Sequence, residues 1–422
     1  MESKSFLRRH RPDYRIVMFA GILMLLGLVV LYAISPARVE LINQSGSGLT
    51  ESHFMQKQVI YLAIGITSFI VAASIPLSVW QRYTGKILAA GFILCILLFL
   101  LGLVMSDGLV LNSGGATRWF KIGSLGTFQP AELLKFGILL FGAMFLGRRI
   151  SQGKVNDVNE TLIPLGILTG TALFIIVILQ KDMGTGITLL GILAAMLFAA
   201  GLKLRYILLG GLMALLIGGL FIAIAPHRIE RVSTFLSGSH DVADPSHWHI
   251  LQANIAIGSG GLMGRGLGQS VQAFGYLPEA VNDSIFAILG EKFGFIGLLA
   301  VLGLFFGLLV RLLKILDHLA DPVHKMIIAG VFGLIATHAI VNIGAMLGVL
   351  PLTGVTLPFL SFGGTSLLFT MIALGLAFQV SRYTTHMSLQ PQKTGGQGNA
   401  PTRSRRGIGR TRNASASRYQ RA

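Results

Sequence analysis

The sequence changes from polar to apolar within Tyr276–Gly297, which reads YLPEAVNDSIFAILGEKFGFIG. The apolar run that begins there continues to Val310, so it is long enough to cross a bilayer. Three acids, Glu279, Asp283 and Glu291, lie in this stretch. A carboxylate at or near bilayer depth is costly and marks a functional site by default. We therefore expect a functional site where water gives way to lipid at this point of the chain.

The composition predicts an integral membrane protein rather than a soluble enzyme. The chain has 422 residues, of which 53% are hydrophobic and only 12% are charged, a balance typical of membrane proteins. The first apolar run follows RRHRPDYR and has no small-residue cleavage site, so we expect a membrane span and no cleavable signal peptide. The single Cys95 lies inside an apolar run and offers no disulfide framework.

Apolar runs long enough to span a bilayer occur ten times. They lie at about residues 15–34, 58–77, 87–105, 130–147, 162–179, 184–201, 206–225, 286–310, 326–348 and 360–380. The pattern predicts an all-α polytopic membrane protein with ten transmembrane helices. An even number of spans places both termini on the same side of the membrane.

The distribution of Lys and Arg orients these spans. Basic residues concentrate in the N-terminal segment, in alternate loops and in the segment 383–422, so the positive-inside rule places both termini in the cytoplasm. We divide the chain into a membrane domain, 1–382, and a disordered basic cytoplasmic tail, 383–422. The charge of the tail suits anionic lipid at the inner leaflet. Binding of nucleic acid is the weaker interpretation of that charge.

A long extracytoplasmic loop, about residues 226–284, precedes the eighth span. Within it the apolar piece Ile250–Met263 is too short to span and predicts an interfacial or re-entrant helix. The stretch Gly258–Ser270 contains many glycines but lacks the context of a dinucleotide fingerprint. His247–His249, with nearby acids, matches no strong metal-ligand spacing, so we interpret it as loop polarity.

Basic residues on the outer side break the positive-inside trend and need a reason. They are Arg118 and Lys121, which flank Trp119, together with Arg228, Arg231 and Arg265. One interpretation is a site for a diphosphate, which Arg contacts in bidentate fashion. The other is that each side chain snorkels to nearby headgroups. For the set, beside buried acids, a polyanionic substrate is favoured.

Acids near the outer ends of other spans also have two interpretations. Glu132 and Lys135 share one helix face and can pair, either as part of a polar cavity or as a structural salt bridge. Asp182 in QKDMGT is a turn residue or part of a site wall. Asp283 either caps the helix that follows it or acts as a general base that faces water.

Five blocks of this sequence resemble one protein family. The blocks are GATRWFKIGSLGTFQPAELLKF (Gly115–Phe136), LQKDMGTG (Leu179–Gly186), IAIGSGGLMGRGLGQS (Ile255–Ser270), LPEAVNDSIFAILGEKFGFIG (Leu277–Gly297) and NIGAMLGVLPLTGVTLPFLSFGGTSLL (Asn342–Leu368). They are similar, in order, to those of the shape, elongation, division and sporulation (SEDS) family, to which FtsW, RodA and SpoVE belong.

The resemblance implies a ten-helix SEDS-type fold and peptidoglycan glycosyltransferase activity on lipid II. It implies that Asp283 is the catalytic residue, with Glu279 in the same block. It also implies that Arg118, Trp119, Glu132 and Lys135 line or brace the active cavity. The implied partner is a class B penicillin-binding protein, a transpeptidase.

The resemblance has departures. Val281 and Asn282 stand where the family has His and Thr, and Ser284 stands where it has Phe. Further departures are Lys181 for Pro, Ala131 for Ser, Lys292 for Glu and Phe362 for Tyr. Because Asp283 is kept, we expect changes in rate or acceptor contact rather than in reaction class.

The leading hypothesis is therefore inverting polymerisation of lipid II at the outer face of the cytoplasmic membrane, for septal wall synthesis with divisome proteins. A divalent cation, Mg²⁺ or Mn²⁺, that bridges Asp283 and the diphosphate is compatible with this chemistry, but the sequence shows no ligand set for it. The alternatives are a lipid II flippase, a scaffold for a transpeptidase, or an elongation-type polymerase.

Overall fold

The structure is a computed structural model that describes residues 11–44, 46, 48–104, 108–113, 116–123, 126–224 and 245–383. Its helices are α1 (Tyr14–Asn43), α2 (His53–Ser74), α3 (Leu77–Val104), α4 (Pro130–Ser151), α5 (Val158–Leu179), α6 (Met183–Ala199), α7 (Leu204–Ile224), α8 (Pro245–Ser259), α9 (Ile285–Asp317), α10 (Pro322–Met346) and α11 (Gly364–Val380). Residues 226–244 of the predicted outer loop, and residues 384–422 of the predicted tail, lie outside the described residues.

The predicted multi-pass helical membrane fold is confirmed. Within the described residues, eight helices are long and apolar enough to cross a membrane, and α6 and the start of α7 are shorter apolar helices. Each of the ten predicted spans coincides with a helix, although the number of ten crossings stays a prediction. The predicted short helix in the outer loop is α8, whose 15 residues are too few to span.

A small antiparallel sheet connects α3 to α4 and was not predicted by the all-α interpretation. Its strands are β1 (Val110–Ser113), β2 (Ala116–Ile122) and β3 (Gly126–Phe128), in the order β1-β2-β3. The sheet leads directly into α4, whose first residue is a proline, a favoured residue at a helix start because its fixed φ suits the first turn. The sheet therefore positions the N-terminal end of α4.

The most buried helices are α4, α10 and α11. Between 78% and 83% of the apolar window of each lies inside the protein, against 22–33% for the other spanning helices. A span that is buried on nearly all sides can hold polar side chains that a lipid-facing span cannot. Helices α4 and α10 accordingly carry the buried polar residues Glu132, Lys135, His338 and Asn342.

Helix α9 is broken near its N-terminal end. Gly294 has φ 64° and ψ −164°, which is not helical, and glycine reaches this region at little cost. The turn that follows α8 packs into the break: Phe295 N–H donates to Gly261 O at 2.8 Å and Ile296 N–H donates to Leu262 O at 3.2 Å. The break thus separates a short N-terminal segment, which follows Asp283, from the long remainder of α9.

Candidate active site around Asp283

Asp283 lies in a tight turn that ends at the start of α9. Glu279 adopts φ 48°, a strained conformation for a residue that is not glycine. Its carbonyl accepts from Asn282 N–H at 2.9 Å and from Ser284 N–H at 3.2 Å. Its exposed carboxylate accepts from Asn282 Nδ2 at 2.5 Å. Asn282, one of the family departures, therefore stabilises the turn that presents Asp283.

The structure does not support a role for Asp283 as the helix cap alone. The N-cap of α9 is Ser284, and no side chain makes a capping hydrogen bond there. Asp283 Oδ1 is buried and has no hydrogen-bond partner among the described residues. A buried acceptor without a partner is costly. We therefore expect this oxygen to interact with a bound substrate group.

Two neighbouring segments hold Asp283 in place. Asn342 of α10 donates through Nδ2 to Asp283 O at 2.7 Å and to Val355 O at 2.7 Å. The loop between α10 and α11 passes the carboxylate, since a Cβ placed on Gly354 would lie 3.9 Å from Asp283 Oδ2. Asn342 thus joins the catalytic candidate to this loop through a single side chain.

The environment of Asp283 makes its carboxyl group a better base than an ordinary aspartate. Burial, and to a smaller extent the negative charge of Glu279, raise the pKa of Asp283 to about 7, against the opposing effect of the N–H groups of Asp283 and Ser284. Low dielectric therefore outweighs the helix N-terminus, which favours the ionised form. A general base whose pKa lies near the operating pH is the most effective.

His249 is a neighbour of this turn that sequence reasoning missed. Its Nε2 lies 2.6 Å from Ser284 Oγ, and Ser284 Oγ donates to Pro278 O at 2.8 Å. Because the hydroxyl gives its one proton to Pro278, the imidazole Nε2–H is the donor in the first contact. The contact fixes α8 against the residue next to Asp283. The His247–His249 triplet was the available signal, but it was interpreted as loop polarity.

Glu132 and Lys135 form the predicted pair, and the structure adds a third member. Lys135 Nζ lies 2.9 Å from Glu132 Oε1 and 2.9 Å from His338 Nε2. His338 Nδ1 lies 3.1 Å from Thr356 O, so the imidazole donates at Nδ1 and accepts from the ammonium at Nε2. All three side chains are buried. This series of hydrogen bonds links α4 to the same loop that passes Asp283.

Asp182 caps α6 and borders that loop from the other side. Its Oδ1 accepts from Thr185 N–H at 3.0 Å, and its Oδ2 accepts from Thr185 Oγ1 at 2.8 Å and from Gln129 Nε2 at 2.9 Å. A Cβ on Gly184 would lie 2.6 Å from Thr353 O. Asp182 is thus both a turn residue and part of the framework around the loop.

The predicted outer basic residues have different surroundings in the described structure. Arg118 donates from Nη2 to Lys181 O at 2.6 Å and from Nε to Gln180 O at 3.3 Å, so it braces the sheet against the turn between α5 and α6. Trp119 is half-buried beside it, and Lys121 is exposed at the end of β2. The remaining predicted diphosphate ligands are Arg265, which borders a separate cavity, and Arg228 and Arg231, which lie outside the described residues.

The described residues contain no group of three or more His, Cys, Asp or Glu side chains that could hold a metal ion. Asp283 and Glu279 are close enough for their charges to interact, but two carboxylates alone do not make a closed cation site. A bridging cation would have to take most of its oxygen ligands from a bound diphosphate. The divalent cation stays a prediction.

This chain is similar to several known proteins. The family model described as "Cell cycle protein", which groups FtsW, RodA and SpoVE, matches residues 14–386. The chain belongs to this family. Stage V sporulation protein E of Bacillus subtilis is 33% identical over 90% of this chain and 99% of its own length. A probable peptidoglycan glycosyltransferase FtsW of Geobacter sp. is 33% identical over 87% of this chain and 96% of its own.

Solved structures of the family share the fold. A chain from a peptidoglycan synthase complex that coordinates polymerization and crosslinking is 25% identical and covers 88% of this chain and 98% of its own, with a TM-score of 0.69. A single-site variant of the rod shape determining protein RodA of Thermus thermophilus is 25% identical, covers 89% and 99% respectively, and has a TM-score of 0.63. The predicted SEDS-type fold is therefore confirmed.

Proposed function

We propose that this chain is a peptidoglycan glycosyltransferase that polymerises lipid II into glycan strands at the outer face of the cytoplasmic membrane. The observation that carries the proposal is the Asp283 carboxyl group, buried in a preformed turn, with an unpartnered Oδ1 and a pKa raised to about 7. Relatives named as peptidoglycan glycosyltransferases match this chain over almost their whole length, which supports the reaction class.

The proposed reaction is a single displacement in which Asp283 acts as general base. The ionised carboxylate takes the proton from the acceptor sugar hydroxyl, and that oxygen attacks the anomeric carbon of the donor. The bond to the diphosphate breaks as the new glycosidic bond forms, so undecaprenyl diphosphate leaves and the configuration inverts. We assign Asp283 Oδ1 as the atom that accepts the proton, since it has no partner in the described residues.

The surrounding polar framework serves to keep Asp283 in position. Asn342 fixes the Asp283 backbone, and the pair of Lys135 and His338 fixes the loop beside it through Thr356. Such preorganisation matters because a misplacement of about 1 Å can cost a factor of about 100 in rate. Positive side chains on the outer side stabilise the charge that develops on the leaving diphosphate, and Arg118 contributes by bracing the sheet.

The same family likeness suggests where the protein works and with what. We place both termini in the cytoplasm, as the distribution of basic residues predicts. A class B penicillin-binding protein is the proposed partner, since a structural neighbour is a chain of a complex that couples polymerization to crosslinking. A role at the division septum, with divisome proteins, is proposed because several relatives are named FtsW. Anionic lipid at the inner leaflet is the proposed partner of the basic tail.

Purified protein with fluorescent lipid II tests the reaction. Glycan chains are expected from the wild type and not from Asp283→Asn. The matched control is Asp317→Asn, which changes an exposed acid at the opposite end of the same helix. In liposomes, translocated lipid without glycan would identify a flippase instead. Absence of both glycan and translocated lipid would indicate a scaffold. Normal polymerisation by Asp283→Asn would refute the assignment of the base.

Depletion in the host tests the cellular role separately. Filaments or failed septa are expected for a division polymerase. Rounded cells that still divide would assign the chain to elongation and would leave the proposed reaction unchanged.

A further inference from the structure

A cavity of about 550 Å³ lies in the outer segment between α8 and α9. Its lining combines one guanidinium, two uncharged polar side chains and three apolar or aromatic side chains, from Arg265, Gln269, Ser270, Val271, Phe274 and Tyr276. No acid is among these residues. A cavity with one positive group and a large apolar wall fits an amphiphile with an anionic head.

Arg265 is held so that the end of its guanidinium stays available. Its backbone N–H donates to Glu291 O at 2.9 Å, and its Nε donates to Ser259 O at 3.1 Å. The two Nη groups have no hydrogen bond or ion pair within the part of the chain that the structure describes. A guanidinium fixed at Nε presents its remaining donors as a planar pair, which matches two phosphate oxygens.

The wall beside Arg265 is fixed by a buried acid that does not compete for it. Glu291 is fully buried, and its carboxylate accepts from Ser270 Oγ at 2.5 Å, Val271 N–H at 2.7 Å and Gln272 N–H at 3.2 Å. These donors satisfy the carboxylate from within the wall. The cavity therefore keeps its shape and its positive charge.

The cavity adjoins the start of a helix segment that is long enough to cross the bilayer. Helix α9 after the break at Gly294 is still long enough to cross the bilayer at 1.5 Å per residue. The turn that pairs with the start of this part exposes Leu262 and Met263, and α9 exposes Phe295 and Ile296 beside them. These four exposed apolar side chains, on two segments joined by hydrogen bonds, suit contact with acyl chains.

We propose that this cavity binds the phosphate headgroup of a lipid in the outer leaflet. The phosphate oxygens lie on the Nη groups of Arg265 and the amide of Gln269, and the hydrocarbon runs along Val271 and Phe274. Two lipids have this chemistry. One is the polyprenyl diphosphate of the substrate or product, an identification that rests on the proposed function. The other is an anionic phospholipid of the bilayer.

Native mass spectrometry of the full chain in detergent tests the proposal with four separate probes: undecaprenyl diphosphate, phosphatidylglycerol, undecaprenol and inorganic diphosphate. Retention of at least one phosphate lipid, and not of undecaprenol, is expected. Arg265→Gln should weaken that retention about tenfold or more, because a hydrogen-bonded ion contact is lost. Arg205→Gln, which removes an exposed arginine at the start of α7, is the matched control and should change nothing.

A second variant covers the case in which Arg265→Gln disturbs folding. Gln269 is exposed, so Gln269→Glu should fold normally and repel the phosphate by adding a negative charge to the cavity. Loss of retention in both variants supports the proposal. Equal retention of undecaprenol, binding of inorganic diphosphate alone, or unchanged retention in both variants would overturn it.

The same variants and lipid probes distinguish the two lipids. If the occupant is the polyprenyl diphosphate, that lipid is retained better than phosphatidylglycerol, and Arg265→Gln raises the KM for the lipid-linked sugar. If it is a phospholipid, phosphatidylglycerol is retained better and KM does not change. Lipid retention is measured without turnover, so it can be interpreted even if the proposed polymerase activity is not found.

Discussion

His249 Nε2 donates to Ser284 Oγ over 2.6 Å, so a histidine of α8 holds the residue that directly follows Asp283. The same hydroxyl donates to Pro278 O at 2.8 Å and closes the turn on itself. The contact is buried, where hydrogen bonds are strongest and unmet donors are most costly. Helix α8 and the candidate base are therefore mechanically coupled.

Removing this hydroxyl should weaken both the fold and the reaction. In Ser284→Ala, the hydrogen bonds of this hydroxyl to His249 and to the carbonyl of Pro278 are lost, at a cost of about 1–3 kcal/mol. Polymerisation should fall because the backbone next to Asp283 loses its anchor. Thermal unfolding and lipid II turnover measure the two effects. Thr67→Ala, which removes an exposed hydroxyl on α2, should affect neither.

A double-mutant cycle shows whether the contact itself is responsible. His249→Gln and Ser284→Ala should be clearly non-additive, since each removes the same hydrogen bond. Additive effects on turnover would mean that the two residues act separately, and the coupling of α8 to Asp283 would be wrong.

Local patterns in the sequence predicted the features that depend on local structure. Apolar runs located the helices, and the three-residue spacing placed Glu132 and Lys135 on one face, where they pair at 2.9 Å. The polar run before the eighth span placed Asp283 next to the helix start, where Ser284 is the cap. Each of these follows from the rise and period of a helix.

Features that depend on distant residues were not predictable in the same way. The contacts of Arg118 join residues 62 and 63 positions apart, and His249 meets Ser284 across 35 positions. The strands of the small sheet are short and gain their stability from pairing rather than from intrinsic preference. His338 and Asn342, four residues apart on an apolar helix, were a usable signal, since polar residues in a span face the protein interior.

Polymerisation should depend on pH through the ionisation of Asp283. Burial raises the pKa of this carboxyl to about 7, and only the ionised form can accept a proton. The rate should therefore fall as pH drops below about 7, by about tenfold per unit, and reach a plateau above it. A profile of kcat/KM against pH measures this. A rate that is constant from about pH 5 to 8 would exclude Asp283 as the titrating base.

The charge on Glu279 should shift that profile. Glu279 raises the pKa of Asp283 through its negative charge, so Glu279→Gln should move the midpoint to lower pH. The variant keeps a side-chain oxygen that can accept from Asn282 Nδ2, as Glu279 Oε2 does, so the turn should be preserved. Glu51→Gln, an exposed acid before α2, should leave the midpoint in place.

The packing of the outer turn against α9 should not tolerate a side chain at Gly264. Its φ is 83°, and a Cβ there would lie 2.2 Å from Lys292 O, so Gly264→Ala should destabilise the protein by more than about 1 kcal/mol. Gly268→Ala is the control in the same loop, since no atom lies within 4 Å of its Cβ position. Thermal unfolding of the two variants in one detergent should separate them, and equal stability would contradict the packing described.

The buried group of Glu132, Lys135 and His338 should tolerate some changes and not others. Glu132→Leu leaves the ammonium of Lys135 without its counter-charge, which we expect to cost about 3–5 kcal/mol. His338→Leu removes the acceptor for Lys135 and the donor to Thr356 O together, so it should release the loop beside Asp283 and lower turnover. His338→Gln can supply both contacts through its amide and should retain most activity. Thermal unfolding and lipid II polymerisation of the three variants measure these effects. If His338→Gln and His338→Leu lose activity equally, the hydrogen bonds of His338 are not what positions the loop.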